Sequence, residues 1–351
     1  MNYKKIISAC VTIATISGAA QAQIFPNLGG QRAGISGLTF LKNDLSPRSV
    51  AMGGSHASVN GDAYSIYNNP AAAVDVKNMT FSVSGLRYGA NISHSMFSAI
   101  VPHNEHSAFL LSANVLNSGA MDVRTEFQPD GTGEKFYATN MAIGGGYSRS
   151  LSQMFSFGLY AKYIREQMAE YKANTMAVDM GFMYRTDYKD LRFAVVLQHF
   201  GSDSKLSGSQ MPVNYNRNGM DLDNYPAPTL FKMGVSMKPI DDGKNALVTS
   251  LQLNHPNDNA ENIRLGLEYA YQDMFFIRGG AKLNVTGEKW PTFGVGYRQR
   301  IGYHVLRVDY AANPTNYLGL MHSIGLSFSL GKADASSSPV ESPAVAPVPA
   351  Q

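Results

Sequence analysis

Two short runs of side chains have the composition of metal sites. His103-Asn104-Glu105-His106 places two imidazoles and a carboxylate within four residues, which could bind a transition metal. Asp221-Leu222-Asp223-Asn224 offers carboxylate and amide oxygens suited to calcium, but lacks the twelve-residue ligand spacing of an EF-hand. Each run also has a simpler interpretation, a polar turn between strands for the first and a solvated loop for the second. We therefore predict neither a metal nor a cofactor.

Motifs of catalysis are missing from the sequence. It contains no G-x-S-x-G nucleophile elbow, no P-loop and no H-E-x-x-H zinc motif, so we predict that the protein is not an enzyme. The net charge is only +3, and the lysines and arginines are spread along the chain rather than gathered in a patch. This charge distribution gives no reason to expect a nucleic-acid partner.

The elements that would position any functional side chain are short strands with alternating polarity. Phe157, Leu159 and Tyr163 point to one side of such a strand, and Tyr160 and Lys162 to the other. The same alternation recurs through the last two-thirds of the chain. Behind a secretion signal, this pattern predicts an all-β fold, a membrane-spanning antiparallel barrel with apolar side chains toward lipid and polar ones toward the lumen. An aromatic share of 11% is typical of the girdles of such barrels.

About fourteen strands are predicted, most of them near the length that a tilted membrane strand needs. Their predicted bounds are 79–88, 91–101, 106–117, 136–149, 153–164, 174–185, 190–199, 229–238, 245–254, 262–270, 273–283, 291–300, 302–311 and 319–330.

The connections between these strands are predicted to sort by length. Every second connection is short, namely 102–105, 150–152, 186–189, 239–244, 271–272 and the one around Ile301. The intervening set includes two long stretches, 118–135 and 200–228. Outer-membrane barrels have short periplasmic turns and longer external loops. The pattern therefore predicts an outer-membrane protein of a Gram-negative cell, with both termini in the periplasm.

The N-terminus has the features of a secretion signal. Lys4 and Lys5 precede a mostly apolar run over Ile6–Ala19, too short to span a bilayer, and a small-residue cleavage site ends at Ala22. Cys10, the only cysteine, could mark a lipoprotein, but it lies too close to the lysines for an apolar region to fit between them. Removal of residues 1–22 would leave a mature chain without a thiol.

The remaining segments are predicted to lie on either side of the barrel in the sequence. Residues 23–78 are rich in Gly, Ser and Asn and are predicted to form a hatch that sits inside the barrel as a plug or hangs beneath it, with a helical turn over Asp62–Tyr67 and a break at Pro70. Residues 79–330 form the barrel. Residues 331–351, rich in Ser, Pro and Ala, form a disordered periplasmic tail.

The hatch segment carries a family resemblance. Gly37–Lys42 (GLTFLK), Ser46–Gly54 (SPRSVAMGG) and Asp62–Ala71 (DAYSIYNNPA) resemble the N-terminal signature of PorV/PorQ-type outer-membrane proteins, which belong to the wider FadL-like barrels. The sequence departs from the family at Ala72, where Gly is usual, and in its Pro/Ala tail. The residues that carry the signature are Arg48, Met52, Gly53, Gly54, Tyr67, Asn68, Asn69, Pro70 and Ala71.

The resemblance implies a role in the type IX secretion system of Bacteroidetes-type bacteria. PorV-like barrels associate with the translocon and receive secreted cargo through the C-terminal domain of the cargo. In this protein, such contacts would be made by external loops 118–135 and 200–228. The alternative is a FadL-like transporter of hydrophobic small molecules such as fatty acids, with an apolar pocket lined by Phe40, Leu41, Met52 and Tyr67 and a lateral opening where a strand kinks. A structural barrel with no passenger is the third hypothesis.

The motif residues themselves have an explanation in turn chemistry. Gly53-Gly54 permits a tight turn or a close backbone approach, Pro70 disfavours helix at Asn69, and the asparagine side chains can bond nearby backbone. These properties predict a rigid hatch, and a gating role is the alternative. Because a closed barrel leaves no edge strand to pair, we expect a monomer in outer-membrane lipid.

Charged residues also recur on the presumed lumen face. A basic interior would favour anionic ligands, such as a fatty-acid carboxylate or a polypeptide C-terminus. The alternative, which we favour, is that the arginines pair with acidic neighbours, the hatch and water. The residues are Lys162, Arg185, Arg192, Lys232, Arg264, Arg278, Lys282, Arg298, Arg300 and Arg307, with Asp179, Glu268 and Asp309.

Overall fold

The structure is a computed structural model of the 351-residue chain. It describes residues 30, 32–59, 61–89, 91–208 and 223–331. The predicted signal peptide, Asp221 and Leu222 of the possible calcium loop, and residues 332–351 of the predicted tail lie outside the described residues.

The barrel consists of strands that pair antiparallel in sequence order, with β1 against β16 closing the wall. All fourteen predicted strands are confirmed, with ends that differ by a few residues. The barrel strands are β1 (Met79–Arg87), β2 (Ser93–Asn104), β3 (Ser107–Asn117), β6 (Ala138–Ser150), β7 (Phe155–Met168), β8 (Tyr171–Arg185), β9 (Arg192–Gly201), β10 (Leu230–Asp241), β11 (Asn245–Pro256), β12 (Asn262–Tyr271), β13 (Phe275–Leu283), β14 (Thr292–Ile301), β15 (His304–Pro314) and β16 (Leu320–Leu330).

Side chains alternate between the lumen and the outer surface as the sequence predicts. In β7, Leu159 and Tyr163 are exposed on the outside, while Tyr160 and Lys162 are buried inside. The outer surface is an apolar belt suited to lipid. Its residues include Val83, Phe97, Leu111, Phe193, Leu251, Leu267, Ile277, Val295, Val308, Ile324 and Leu326.

The two ends of the barrel differ in the length of their connections. At the short-turn end the strands are joined by 105–106, 151–154, 186–191, 242–244, 272–274 and 302–303. The opposite, long-loop end carries 118–137 and 202–229, and the first of these contains a small hairpin of β4 (Met121–Asp122) and β5 (Lys135–Phe136). This sorting confirms the predicted alternation of turns and loops. The assignment of the short-turn end to the periplasm stays a prediction.

Outward-facing aromatic residues gather near the short-turn end. Tyr184, Tyr271, Phe275 and Tyr297 are each at least partly exposed there, and Phe275 packs against Tyr297 with ring centroids 5.2 Å apart. Aromatic rings at this level suit the boundary between lipid tails and headgroups.

The hatch enters the lumen before β1 and contains only short helical turns. They are a 3₁₀ helix (Thr39–Lys42), α1 (Pro47–Ala51), α2 (Ser65–Asn68) and a second 3₁₀ helix (Pro70–Asp75). Ser46 caps α1 by accepting from the Ser49 N–H. The predicted helical turn is therefore present, shifted toward Asn68, and the predicted break falls at Pro70. Within the described ranges, no helix is long and apolar enough to cross a membrane.

Candidate functional site

The Met-Gly-Gly turn of the hatch requires its glycines. Gly53 and Gly54 have φ values of +66° and +78°, in the left-handed region that L side chains rarely adopt. A Cβ on Gly54 would also collide with the guanidinium of Arg264, whose Nη1 donates to the Gly53 carbonyl at 3.4 Å. The turn is therefore tight and held close to strand β12.

Three glycines in the wall form the seat for this turn and for the end of α1, where a Cβ on Gly294 would lie 2.6 Å from the Ala51 Cβ. Gly266, Gly280 and Gly294 lie on the successive strands β12, β13 and β14, each fourteen residues from the next. A Cβ on Gly266 would lie 2.8 Å from the Met52 carbonyl oxygen, and one on Gly280 would overlap the backbone at Met52 and Gly53. Sequence reasoning missed this seat, although the regular spacing of glycines within predicted strands was a readable signal.

A second seat receives the Asn-Pro-Ala turn. A Cβ on Gly158 of β7 would overlap the backbone at Pro70 and Ala71. A Cβ on Gly181 of β8 would overlap the side-chain oxygen of Asn69. Both motif turns of the hatch thus pack directly against wall positions that have no side chain.

Hydrogen bonds complete the seating of the Asn-Pro-Ala turn. The Asn69 side chain accepts from the Ala71 N–H at 2.9 Å and donates to the Ala57 carbonyl at 2.8 Å. The Gln198 side chain, on β9, donates to the Tyr67 carbonyl at 2.6 Å. These contacts agree with the prediction that the motif residues form a rigid turn of the hatch.

Arg48 ties the hatch to the charged side of the lumen. Its guanidinium makes two bonds to the Glu268 carboxylate, at 2.6 and 2.8 Å, and lies 3.3 Å from Asp62. The His56 imidazole approaches Asp62 at 3.6 Å, but burial lowers the pKa of His56 to about 4. His56 is therefore neutral at pH 7, and Arg48 is the cation that pairs with Asp62.

Glu268 is shared among several arginines. Arg278 donates to Glu268 at 2.6 Å and to Asp309 at 2.8 Å, and Arg307 contacts Asp309 at 2.9 Å. The ring of Phe276 lies against these arginines, with the Arg307 guanidinium carbon 4.6 Å from its centroid. We call Arg48, Glu268, Arg278, Arg307 and Asp309 the arginine network. It shows the pairing with acidic neighbours and the hatch that we favoured from the sequence.

A second buried cluster lies where the β8–β9 register shifts, between Val178 and Met180. Lys162 donates to Asp179 at 2.7 Å and to the His199 ring nitrogen at 2.5 Å. The Asp179 carboxylate also accepts from the backbone N–H of His199 at 2.7 Å. Lys162, Asp179 and His199 therefore bond to one another at the register shift.

Other predicted lumen residues also have partners. Arg192 contacts Asp75 of the hatch at 2.5 Å, and Lys282 contacts Glu288 at 2.9 Å. Lys232 is buried in the lumen.

Two residues predicted for the lumen lie at its rim instead. Arg185 and Arg300 share the inward parity of their strands but are exposed at the short-turn end, where the wall no longer covers them. Arg298 lies one position deeper on the same face, half-buried, and pairs with Asp273 of a short turn. Alternation alone does not distinguish a strand's last residue from its interior, which is why the prediction failed there.

Apolar side chains gather in two clusters on the opposite side of the hatch, beside the Lys162–Asp179–His199 cluster. Residues at the long-loop end form an outer apolar cluster, and residues deeper in the lumen form an inner apolar cluster. The outer cluster contains Leu38, Phe40, Leu41, Ala142, Ile164, Ala177 and Ala227. The inner cluster contains Ile66, Ala73, Ile100, Ala108, Leu110 and Tyr160.

The predicted pocket of Phe40, Leu41, Met52 and Tyr67 does not form as one site. Phe40 and Leu41 belong to the outer apolar cluster, whereas Met52 packs with Val59 near β11 on the other side of the hatch. The glycine seat holds Met52 there. A small cavity of about 20 Å³ lies between the two apolar clusters. Its lining combines members of both clusters and Tyr67 with polar and charged side chains, namely Ser112, Asn114, Lys162, Asp179 and His199.

A cavity of about 410 Å³ lies at the short-turn end. We call it the vestibule. The vestibule is lined by Lys77, where the chain leaves the hatch, by Asp273 of a short turn and by Arg307 of the arginine network. Its wall is therefore strongly charged, unlike the apolar clusters.

The histidine-rich turn shows no metal-binding arrangement. The His103 ring packs edge-on against Phe109 at 5.5 Å, and both His103 and His106 are exposed at the short-turn end. Across the part of the chain that the structure describes, no three His, Cys, Asp or Glu side chains gather in a way that could hold a metal.

Comparison with known proteins identifies the fold. No family model matches the chain, and no curated protein matches it. The Pseudomonas putida toluene transporter TodX is similar in structure, with a TM-score of 0.56 and 11% identity over 86% of this chain and 99% of that one. The CymD monoaromatic hydrocarbon channel has a TM-score of 0.54 and 13% identity over 82% and 98%. The chain is a closed, fourteen-stranded antiparallel barrel that shares the fold of these two channels.

Proposed function

We propose that this barrel carries apolar small molecules across the outer membrane, between the hatch and the wall. The observation that carries the proposal is the pair of apolar clusters on one side of the hatch, linked by the small cavity at Leu41 and Tyr67. An apolar solute entering at the long-loop end would meet Phe40 and then Ile66 without crossing the arginine network. Contact with the two apolar clusters favours such solutes because it removes their apolar surface from water. The linking cavity also presents Lys162, Asp179 and His199, which are already paired with one another.

The architecture adds support to this proposal. TodX is a toluene transporter and CymD a monoaromatic hydrocarbon channel, and both share the fold. The two apolar clusters are closely packed, so a solute of toluene's size needs the hatch to shift away from β6 and β7. The lateral opening predicted from the sequence stays a prediction, with the β8–β9 register shift at Val178 as its best-placed location.

Deletion of the gene tests the proposal. We expect a deletion strain to take up labelled toluene or a labelled long-chain fatty acid several-fold more slowly than its parent, and a plasmid copy to restore the rate. An unchanged rate for both solutes would contradict a role in apolar transport.

A second candidate is the type IX secretion role that the PorV/PorQ resemblance implies, and one observation favours it. Phe127, at the tip of the β4–β5 hairpin, is 94% exposed at the long-loop end. In this position the ring is available to a partner that approaches the long-loop end. The translocon or a cargo C-terminal domain would be that partner.

The same deletion strain separates the two candidates. The secretion role predicts that proteins with type IX C-terminal signals accumulate in the periplasm of that strain. The transport role predicts normal secretion together with slow uptake.

A further inference from the structure

We infer that the long-loop half of the lumen binds a chloride ion between the hatch and the wall, held by Lys232 of β10 and Arg264 of β12. The site lies at the other end of the lumen from the vestibule. The inference goes beyond the transport of apolar solutes, because the ion would bind whether or not the barrel conducts them.

Lys232 is a buried cation without a partner. The residue is only 8% exposed, and in the part of the chain that the structure describes its Nζ has neither a hydrogen bond nor a carboxylate oxygen within 4.0 Å. The nitrogen is not sealed off, however, and the side chain lines a cavity of about 30 Å³. A buried charge without a partner is costly, so an anion in this cavity would gain a strong, charge-assisted hydrogen bond.

Two further donors on neighbouring strands line the same cavity. Asn254 lies opposite Lys232 in the β10–β11 pairing, and its side-chain oxygen accepts from Gln252 at 2.7 Å. Arg264 donates to the Gly53 carbonyl at 3.4 Å through Nη1. Asn254 Nδ2 and Arg264 Nη2 have no acceptor among the described residues, and both keep accessible surface. The cavity therefore offers an anion three donors that it can reach.

The charges around the cavity leave one positive charge in excess. Its lining contains three cationic side chains, Lys42, Lys232 and Arg264, but a single carboxylate, that of Asp44. Lys42 is neutralised by Asp258, which lies 2.7 Å away and outside the lining. Lys232 and Arg264 thus face one carboxylate, and Asp44 lies too far from either to form an ion pair. A monoanion would balance this set, whereas a dianion such as phosphate would reverse the imbalance.

The size of the cavity suits a halide. A volume of about 30 Å³ has room for a particle little larger than a water molecule, which is the size of a chloride ion. The lining joins Gly54 and Asn68 of the hatch to Gln198 and Lys232 of the wall. Because Arg264 also holds the Gly53 carbonyl, a chloride ion bound there would fasten the Met-Gly-Gly turn to the wall.

The experiment is thermal unfolding of the purified full-length protein in detergent, as potassium chloride replaces potassium gluconate at constant ionic strength. Gluconate is too large for the cavity. We expect chloride to raise the unfolding temperature by about 2 °C and then to saturate, because a ligand that binds only the folded state stabilises it. Lys232→Met should abolish this response. In gluconate the same variant should unfold at no lower temperature than the unmodified protein, because it removes a buried charge that has no partner.

Lys238→Met is the matched control. It makes the same substitution on the same strand, but Lys238 pairs with Asp190 at 3.2 Å and does not line the cavity. This variant should keep the full response to chloride, which separates the binding of the ion from the loss of a lysine on β10.

Bromide shows where the ion binds. Crystals grown in bromide should give an anomalous-scattering peak between Lys232 and Arg264. Absence of this peak, equal unfolding temperatures in chloride and gluconate, an unchanged chloride response in Lys232→Met, or an acetate response as large as that of chloride would each overturn the inference. None of these readouts depends on toluene uptake, so the inference and the proposed transport role can fail separately.

Discussion

Replacing Gly280 with valine should unseat the hatch and make the barrel leak ions. A Cβ at this position would already overlap the backbone at Met52 and Gly53, and a backbone cannot rotate aside as a side chain can. We expect a loss of about 3 kcal/mol of stability, the upper end of typical overpacking costs. Movement of the hatch away from the wall would relieve this overlap and open the lumen. Planar-bilayer recordings should therefore show a stable ion conductance that the unmodified protein lacks.

Gly279→Val is the control for this experiment. Gly279 is the preceding residue of β13, where an added Cβ would find only one atom, the Thr292 carbonyl oxygen, 3.9 Å away. It faces outward, so valine should leave both conductance and stability nearly unchanged. Equal behaviour of the two variants would show that the glycine seat does not hold the hatch.

Glu268→Gln should be the most damaging single change within the arginine network. It removes the carboxylate that three arginines share, inside a site where the Glu268 side chain is only 4% exposed. Breaking a buried ion pair by removing one partner typically costs about 3 to 5 kcal/mol. Because Arg48 belongs to the hatch, its seating should weaken as well, and urea unfolding in detergent would measure the loss.

The contrast is Asp273→Asn at the rim. Asp273 also pairs with an arginine, but its side chain is 55% exposed, so its loss should cost less than about 1 kcal/mol. Adding Arg48→Met to Glu268→Gln should cost less than the two separate losses combined, because the arginine left without a partner is removed. Strictly additive losses would mean that Arg48 and Glu268 are not coupled.

The sequence predicts the barrel wall well because its signal is local. Alternation in β7 depends on successive residues such as Leu159 and Tyr160, whose exposures differ as predicted. The length of the connections is equally local. Pairing partners follow from sequence order in an antiparallel barrel, so the closure of β1 on β16 needs no distant information.

The interior was less predictable because it depends on the path of the hatch. The motif residues Gly53 and Pro70 do mark turns, but nothing near them in sequence indicates which wall glycines receive them. The apolar pocket failed for the same reason, since the seat at Gly280 draws Met52 away from Phe40. Sharing of Glu268 among three arginines likewise joins residues far apart in the chain.

If apolar solutes pass only when the hatch moves, a reversible cross-link between the hatch and the wall should stop them. The Ala57 Cβ lies 3.4 Å from a Cβ placed on Gly234 of β10, close to the separation found in disulfides. Asn69 binds the Ala57 carbonyl, so fixing Ala57 also restrains the turn that follows Tyr67. Cys10 is the only cysteine in the sequence, so an Ala57→Cys, Gly234→Cys pair would cross-link cleanly.

The measurement is uptake of labelled toluene by deletion cells that carry this double variant, before and after treatment with a reductant. Each single variant serves as a control for the substitution alone. The account predicts slow uptake while the disulfide is formed and recovery to the single-variant rate on reduction. Uptake that is equally fast with the hatch locked would contradict it.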